Sequence, residues 1–181
     1  MSTGTSGNRV FLVLIVFFAL AMVATWFFSA AVVKRTREAA VRTDDALRIV
    51  AWAVLVHADV EQGRFPITDA ELSATPYASS LDLTLAGSSP LASAGWPKSA
   101  ETAGAGDELD ASNWPDRLGD ALRWVSVQYQ PHHDLPPTLT SGGHPTSQGV
   151  LDLVNGWVRA ASDETARLRA SANAPGTAPA E

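Results

Sequence analysis

"VFLVLIVFFALAMVATWFFSAAVVKRTREAAVRTDDALRIVAWAVLVHADVEQ", Val10 to Gln62, contains neither glycine nor proline. The two residues that most disfavour a helix interior are therefore missing, and at the α-helical rise the stretch reaches roughly 80 Å. Its first part, Val10 to Val33, carries no charge, and Thr25 and Ser29 supply its only hydroxyls. About 36 Å of apolar helix crosses a hydrocarbon core of roughly 30 Å with some tilt. "SAA" at Ser29–Ala31 has the small residues of a cleavage site. The apolar run is nevertheless longer than the ~7 to 15 residues of a signal peptide, so 10–33 reads as a retained transmembrane helix.

Past Val33 the pattern turns amphipathic. Val41, Leu47, Val50, Val54 and Ala58 mark one strip, and Ile49, Trp52, Val56 and Val60 an adjacent one. The strip is widest from Leu47 to Val60, which predicts packing against a domain there, with Lys34 to Asp45 solvated or among headgroups. Gly63 offers a C-cap residue, Pro66 forbids continuation, and Phe65 before it is pushed into an extended conformation. Thr68 and Glu71 have capping-box spacing, so a short helix is expected from Asp69.

A membrane helix running into an amphipathic one, ended by "GRFP" at Gly63–Pro66 and followed by "TDAEL" at Thr68–Leu72, resembles the type IV pilins and type II secretion pseudopilins. The resemblance covers roughly residues 7 to 72. It implies a bacterial inner-membrane anchor, a small sheet lying on the amphipathic half outside the cytoplasm, and helix-to-helix packing with other pilin-like subunits. The family's processing signal, Gly before Phe-Thr-Leu-x-Glu, is absent: "GNRVFL" at Gly7–Leu12 puts Asn8 in the Phe place and Leu12 in the Glu place. Lys34, Arg35, Arg37 and Arg42 follow the span and Arg9 precedes it, so the positive-inside count favours a cytoplasmic C-terminal part. The resemblance implies the opposite, and an extracytoplasmic domain is the expectation adopted.

The rest suggests a small α+β domain. "LDLTLAG" from Leu81 alternates like a strand, and residues 87–112 are rich in Gly, Ala and Ser like a surface loop, with Trp96 as a docking point. Asn113 is placed to cap a helix running to Leu122, and Trp124–Gln130 alternates like a strand. A Pro-rich break, "PHHDLPPTLTSGGHP", precedes a helix carrying Val150, Leu151, Val154, Trp157, Val158 and Ala161. The organisation is then a short tail at 1–9, a transmembrane helix at 10–33, its continuation at 34–62, an α+β domain at 63–170 with a flexible loop at 87–112, and a disordered tail at 171–181. Its sheet should have two to four strands.

Chemistry is thinly signalled. The chain has no cysteine, which excludes disulfides and thiol chemistry. Its net charge is −6, with no basic patch interleaved with aromatics, which argues against nucleic acid. His132, His133, Asp134 and His144 are ligand-capable types in one region, but adjacent loop residues rarely converge and no helical ligand spacing fixes them, so they read as loop residues and no metal is assigned. His57 reads as a domain-contacting or solvent-facing residue, and Trp52, Trp96, Trp114, Trp124 and Trp157 as core and loop anchors or, alternatively, a partner surface. With no G-x-S-x-G and no phosphate loop, neither catalytic residues nor a cofactor are expected. The expectation is a non-enzymatic, single-pass, pseudopilin-like structural or assembly subunit. Its partners are the lipid bilayer and pilin-like or secretion-system proteins, with homo- or hetero-oligomers formed through the N-terminal helix. A tethered envelope domain that binds a partner without entering a filament is the alternative, and a metal-dependent hydrolase using the three loop histidines is a third reading.

Overall fold

The computed structural model describes residues 5–81, 95–105 and 109–172 and divides into two compact units, residues 1–38 and 39–181. Helix α1, Thr5–Val60, supplies the first unit and opens the second, with no break in helical assignment at Lys34. Thr5 to Arg9, expected within the N-terminal tail, are helical. In the first unit the apolar side chains from Phe11 to Val33 are exposed, and this is the one helix among the described residues long and apolar enough to cross a membrane. Thr25 and Ser29 return their hydroxyls to the carbonyls of Ala21 and Thr25 at 2.8 Å, so neither leaves a polar group unpaired in an apolar setting.

In the second unit α1 behaves differently from the strip that its spacing predicts. Every side chain from Ile49 to Val56 is buried, on all sides of the helix, and Ala46, Leu47 and Ala58 extend that core. A helix apolar all round must be covered all round, and in "ALRIVAWAVLVHA", Ala46–Ala58, only Arg48 and His57 are polar. Val41 and Val60, the outer members of the expected strips, are exposed. Among the described residues the sheet cannot provide this cover by itself, because there it consists of two three-residue strands, β1 (Ser126–Gln128) and β2 (Thr138–Thr140), paired antiparallel with Val127 opposite Leu139. The domain is α+β as expected, but helices and irregular segments complete the wrapping: α2 (Asp69–Ser73), α3 (Ala100–Ala103), α4 (Trp114–Ala121) and α5 (Val150–Ala172).

α1 ends at a Schellman turn. The Gly63 N–H donates to Ala58 O at 2.6 Å and the Gln62 N–H to Asp59 O at 3.3 Å, which makes Gln62, at φ +54°, the left-handed residue. Gly63, expected in that role, lies one place further on. It too has a positive φ, +84°, and it is crowded: an added Cβ would lie 2.3 Å from Thr165 Cγ2 on α5. Arg169 Nη2 donates to Gly63 O at 3.1 Å and its guanidinium also pairs with Asp134. The hinge is therefore clamped onto the C-terminal helix. After it Thr68 caps α2 by accepting from Glu71 N at 3.2 Å, while Glu71 Oε2 reaches back to Ile67 N at 2.9 Å, one residue beyond a standard capping box.

The tryptophans behave as anchors. Trp52 donates to Ala78 O at 3.0 Å and Trp114 to Thr75 O at 2.8 Å, while Tyr77 donates to Leu109 O at 2.6 Å. The irregular segment 75–78 is thereby stitched to α1 and α4 through indole N–H groups that burial would otherwise leave unpaired. Trp96 and Trp157 are also buried, and Trp124 is half-buried. Within the expected loop 87–112, Ala100–Ala103 is helical: Ser99 and Thr102 form a reciprocal capping box, Gly104 ends the turn at φ +63°, and Ala100, Ala103 and Ala105 are in the core. Small side chains let the backbone approach closely, which composition alone presents as loop-like. The strand expected after Leu81, residues 87–94 and 106–108 of the loop, and the tail beyond Ala172 lie outside the described residues.

β2 falls within the stretch expected to be a Pro-rich break. One side of it is covered by β1 and the other by a side chain: Asn155 Oδ1 accepts from Leu139 N and Asn155 Nδ2 donates to Leu139 O, both at 2.9 Å. The amide of Asn155 stands in for a third strand at the buried Leu139, which explains how so short a sheet satisfies its backbone.

Candidate partner-binding cleft

α1 and α4 present the same surface twice. "RTDDALRI", Arg42–Ile49, and "RLGDALRW", Arg117–Trp124, share Arg, Asp, Ala, Leu and Arg at equivalent places. Positions one, four and five of each octet share a helix face, being three and four residues apart; position eight, Ile49, continues that face in α1, whereas Trp124 lies in the turn that follows α4. Those are the positions that line a cleft of about 250 Å³: Arg42, Asp45, Ala46 and Ile49 from one octet, and Arg117, Asp120, Ala121 and Trp124 from the other. Ala46, Ile49 and Ala121 are buried and Trp124 half-buried, so they form an apolar floor, while the arginines and aspartates form an exposed rim. The sixth position of each octet, Leu47 or Leu122, packs in or against the core and fixes the face.

The seventh residue of each octet bears on its own aspartate. Arg123 Nη1 lies 3.3 Å from Asp120 Oδ1, both well exposed. Burial pushes the Asp45 carboxyl up; the Arg48 guanidinium opposes that most strongly, Asp44 adds to it and Arg117 opposes it further. Asp44 accepts from the Ser147 N–H at 3.0 Å. Arg42, Arg48 and Arg117 form no salt bridge among the described residues, and the rim itself carries two arginines and two aspartates. Trp124 also packs against His144, with ring centroids 4.7 Å apart and the ring planes tilted by 48°.

Two of the three loop histidines, His133 and His144, have other partners. His133 Nδ1 is 2.9 Å from Phe65 O and 3.9 Å from Glu71 Oε2, Asp134 pairs with Arg169, and His144 lies against Trp124. Among the described residues no three His, Asp or Glu side chains are grouped to hold a metal ion. His57, half-buried on α1, meets Thr75 Oγ1 at 3.2 Å through Nδ1. Burial pushes its ring down toward the neutral form, while Glu61 and Glu71 oppose this and His133 and Arg64 reinforce it. Tyr129 donates to Asp69 Oδ1 at 2.6 Å, and burial first, then that bond, raises its phenol. These groups secure the hinge. Of the cleft residues Arg42, Ile49 and Trp124 stand out in the sequence, though not as parts of one site; the repeat of R-x-x-D-A-L-R is the signal that links the two octets.

No family model, no curated protein and no solved structure matches this chain.

Proposed function

We propose that this chain is a single-pass, membrane-anchored structural or assembly subunit of a secretion or pilus-like envelope machine, built on a pseudopilin-like plan and working without catalysis. What supports it is the division of labour within α1: its apolar first half is exposed and its second half is the centre of a folded domain. Exposed Phe11–Val33 suits lipid and neighbouring helices, since association in a bilayer runs through side-chain packing rather than water release. On this proposal the anchor lies in a bacterial inner membrane, the domain is extracytoplasmic, and other pilin-like subunits are the partners.

The absence of native cysteine makes a direct test simple. Single cysteines placed from Phe11 to Val33 and oxidised in membranes should cross-link with a period of about 3.6 residues, as a helix face packed on a neighbour requires. Uniformly low yield at every position would refute assembly through the span. An exposed cysteine in the domain, Ser73→Cys, should react with an impermeant maleimide added outside spheroplasts; labelling only after lysis would invert the orientation.

One observation favours a second reading. Leu12 occupies the place of the family's Glu, and in the second unit α1 is already enclosed, which restricts any helix packing to its exposed part. A tethered domain that docks a partner without polymerising would retain that partner while giving no cross-links in the span.

A further inference from the structure

We propose that one face of α1, at the C-terminal end of its apolar stretch, is a docking site for an anionic phospholipid: Lys34 and Arg37 hold the phosphate, and Trp26, Ala30 and Val33 hold an acyl chain. The proposal rests on reading Val10–Val33 as a membrane span, and not on assembly through it.

A shallow groove on this part of the helix is lined by Trp26, Ser29, Ala30, Val33, Lys34 and Arg37. These residues share a face, since Trp26, Ala30, Val33 and Arg37 follow one another at steps of four, three and four. Ser29 and Ala30 are small and leave a notch between Trp26 and Val33. The Ser29 hydroxyl is turned back to Thr25 O at 2.8 Å, so the notch offers no free donor and suits an aliphatic chain.

The polar end selects the headgroup. Lys34 and Arg37 are three residues apart and exposed, so one phosphate can meet both. Glu38 lies 3.9 Å from Lys34, but with side chains 79% and 57% exposed that pair competes weakly, and Arg37 has no ion pair among the described residues. The excess of positive charge here does not depend on pairing. Residues 1–38 hold four of the chain's 13 Lys and Arg and one of its 19 Asp and Glu, which leaves nine against 18 beyond them. An acidic protein thus carries its basic residues where the apolar stretch ends, and anionic lipid complements them. Lys34 stands about 12 Å along the helix from Trp26 and Arg37 about 16 Å, so a lipid whose phosphate sits on this pair runs its chain past the indole. A free phosphate would use the cations and leave the apolar face unused.

The test places the full chain in phosphatidylcholine vesicles in which a minority of lipid carries brominated acyl chains, which quench a tryptophan on contact. Subtracting the signal of Trp26→Phe isolates Trp26 from the other tryptophans. Brominated phosphatidylglycerol should bind beside Trp26 about fivefold better than brominated phosphatidylcholine, and Lys34→Gln and Arg37→Gln should each remove about half of that preference. Arg35→Gln, off the groove, should keep most of it. All three side chains are exposed, and equal quenching of parent and variants in wholly brominated phosphatidylcholine shows that the helix sits at the same depth. Equal affinity for the two lipids, or a preference retained in the double Gln variant, overturns the proposal. An equal loss in Arg35→Gln shows diffuse surface charge and overturns the groove. Loss of the preference when inorganic phosphate replaces chloride at equal ionic strength overturns the lipid assignment. Absence of quenching by either lipid also overturns it: cysteine cross-links at positions 26, 30 and 33 would then give the groove to a neighbouring helix, and their absence would remove the span reading as well. Equal lipid affinities with cross-linking intact remove this inference alone, whereas a lipid preference without cross-linking removes the assembly reading and leaves the lipid site.

Discussion

Replacing Gly63 by alanine probes the clamp between the end of α1 and α5. The new Cβ would lie 2.3 Å from Thr165 Cγ2, whereas carbon atoms in contact settle at about 3.5 to 4.0 Å, so the two must separate by more than an ångström. Neither side yields easily, because Thr165 is buried with its hydroxyl on Ala161 O at 2.8 Å, and Gly63 O accepts from Arg169. Overpacking of this kind costs about 1 to 3 kcal/mol. The φ of +84° adds about 1 to 2 kcal/mol for a residue with a Cβ. Gly63→Ala should therefore lose about 2 to 5 kcal/mol. Thr165→Ser removes Cγ2 and keeps the hydroxyl, whose distance to the new Cβ, 3.3 Å, is tight but near contact. Alone it should cost about 1 kcal/mol for one buried methyl. In the Gly63→Ala background it should instead restore about 1 to 3 kcal/mol, leaving only the backbone strain. Chemical denaturation of the full chain in detergent, followed by near-ultraviolet circular dichroism of the buried tryptophans, measures the cycle. A loss below about 0.5 kcal/mol for Gly63→Ala, or additive losses in the double variant, would refute the close approach.

Gln62→Gly should act in the opposite sense to Gly63→Ala, raising stability by about 0.5 kcal/mol in the same melts, because relief of the left-handed conformation at φ +54° exceeds the added freedom of the unfolded chain. Asn155→Leu leaves the N–H and C=O of buried Leu139 without their partners and should cost about 2 to 4 kcal/mol, with faster amide exchange at Leu139. For His57 the folded ring holds its proton less tightly than the unfolded ring at 6.5, so the unfolded chain takes up the proton first as pH falls. Stability should be level above about pH 6.5 and decline below it, and His57→Gln should flatten that decline in a series of melts. An unchanged slope in the variant would assign the acid sensitivity to other groups.

Some of this architecture is plain in the chain. Lack of Gly and Pro between Val10 and Gln62 leaves helix as the economical backbone state, and α1 spans Thr5–Val60. Thr68 and Glu71 announce α2, and the spacing of Val154, Trp157, Val158 and Ala161 announces the buried face of α5. These are local signals, carried by residues within one or two turns of each other. Less legible were features that depend on distant partners. β2 is three residues among prolines, and it persists because Asn155 on α5 meets its outer edge. Trp96 and α3 sit in a Gly/Ala/Ser-rich stretch whose small side chains resemble linker until they are packed. Asn113, expected to cap α4, instead accepts from Asp110 N at 3.1 Å and has no cap bond to the helix. The turn centred on Asp110, whose carboxylate collects Ser112 and Asn113, leads the chain into α4.

The sequence by itself determined a long uninterrupted helix, apolar and uncharged over Val10–Val33, because helix propensity and hydrophobic length depend only on consecutive residues. It also announced that "GRFP" ends that helix. Tertiary structure decided what the helix meets and how it ends. Leu47–Val60 reads as a stripe, yet from Ile49 to Val56 it is enclosed on every side, since periodicity records where polar residues fall and not how many segments return to cover the rest. Gly63 reads as a cap, yet Gln62 takes the left-handed place and Gly63 is crowded by Thr165, a contact across about a hundred residues of chain. The two octets look unrelated at their separation in sequence. They become one cleft only because Leu47 and Leu122 turn their matching faces to a common core.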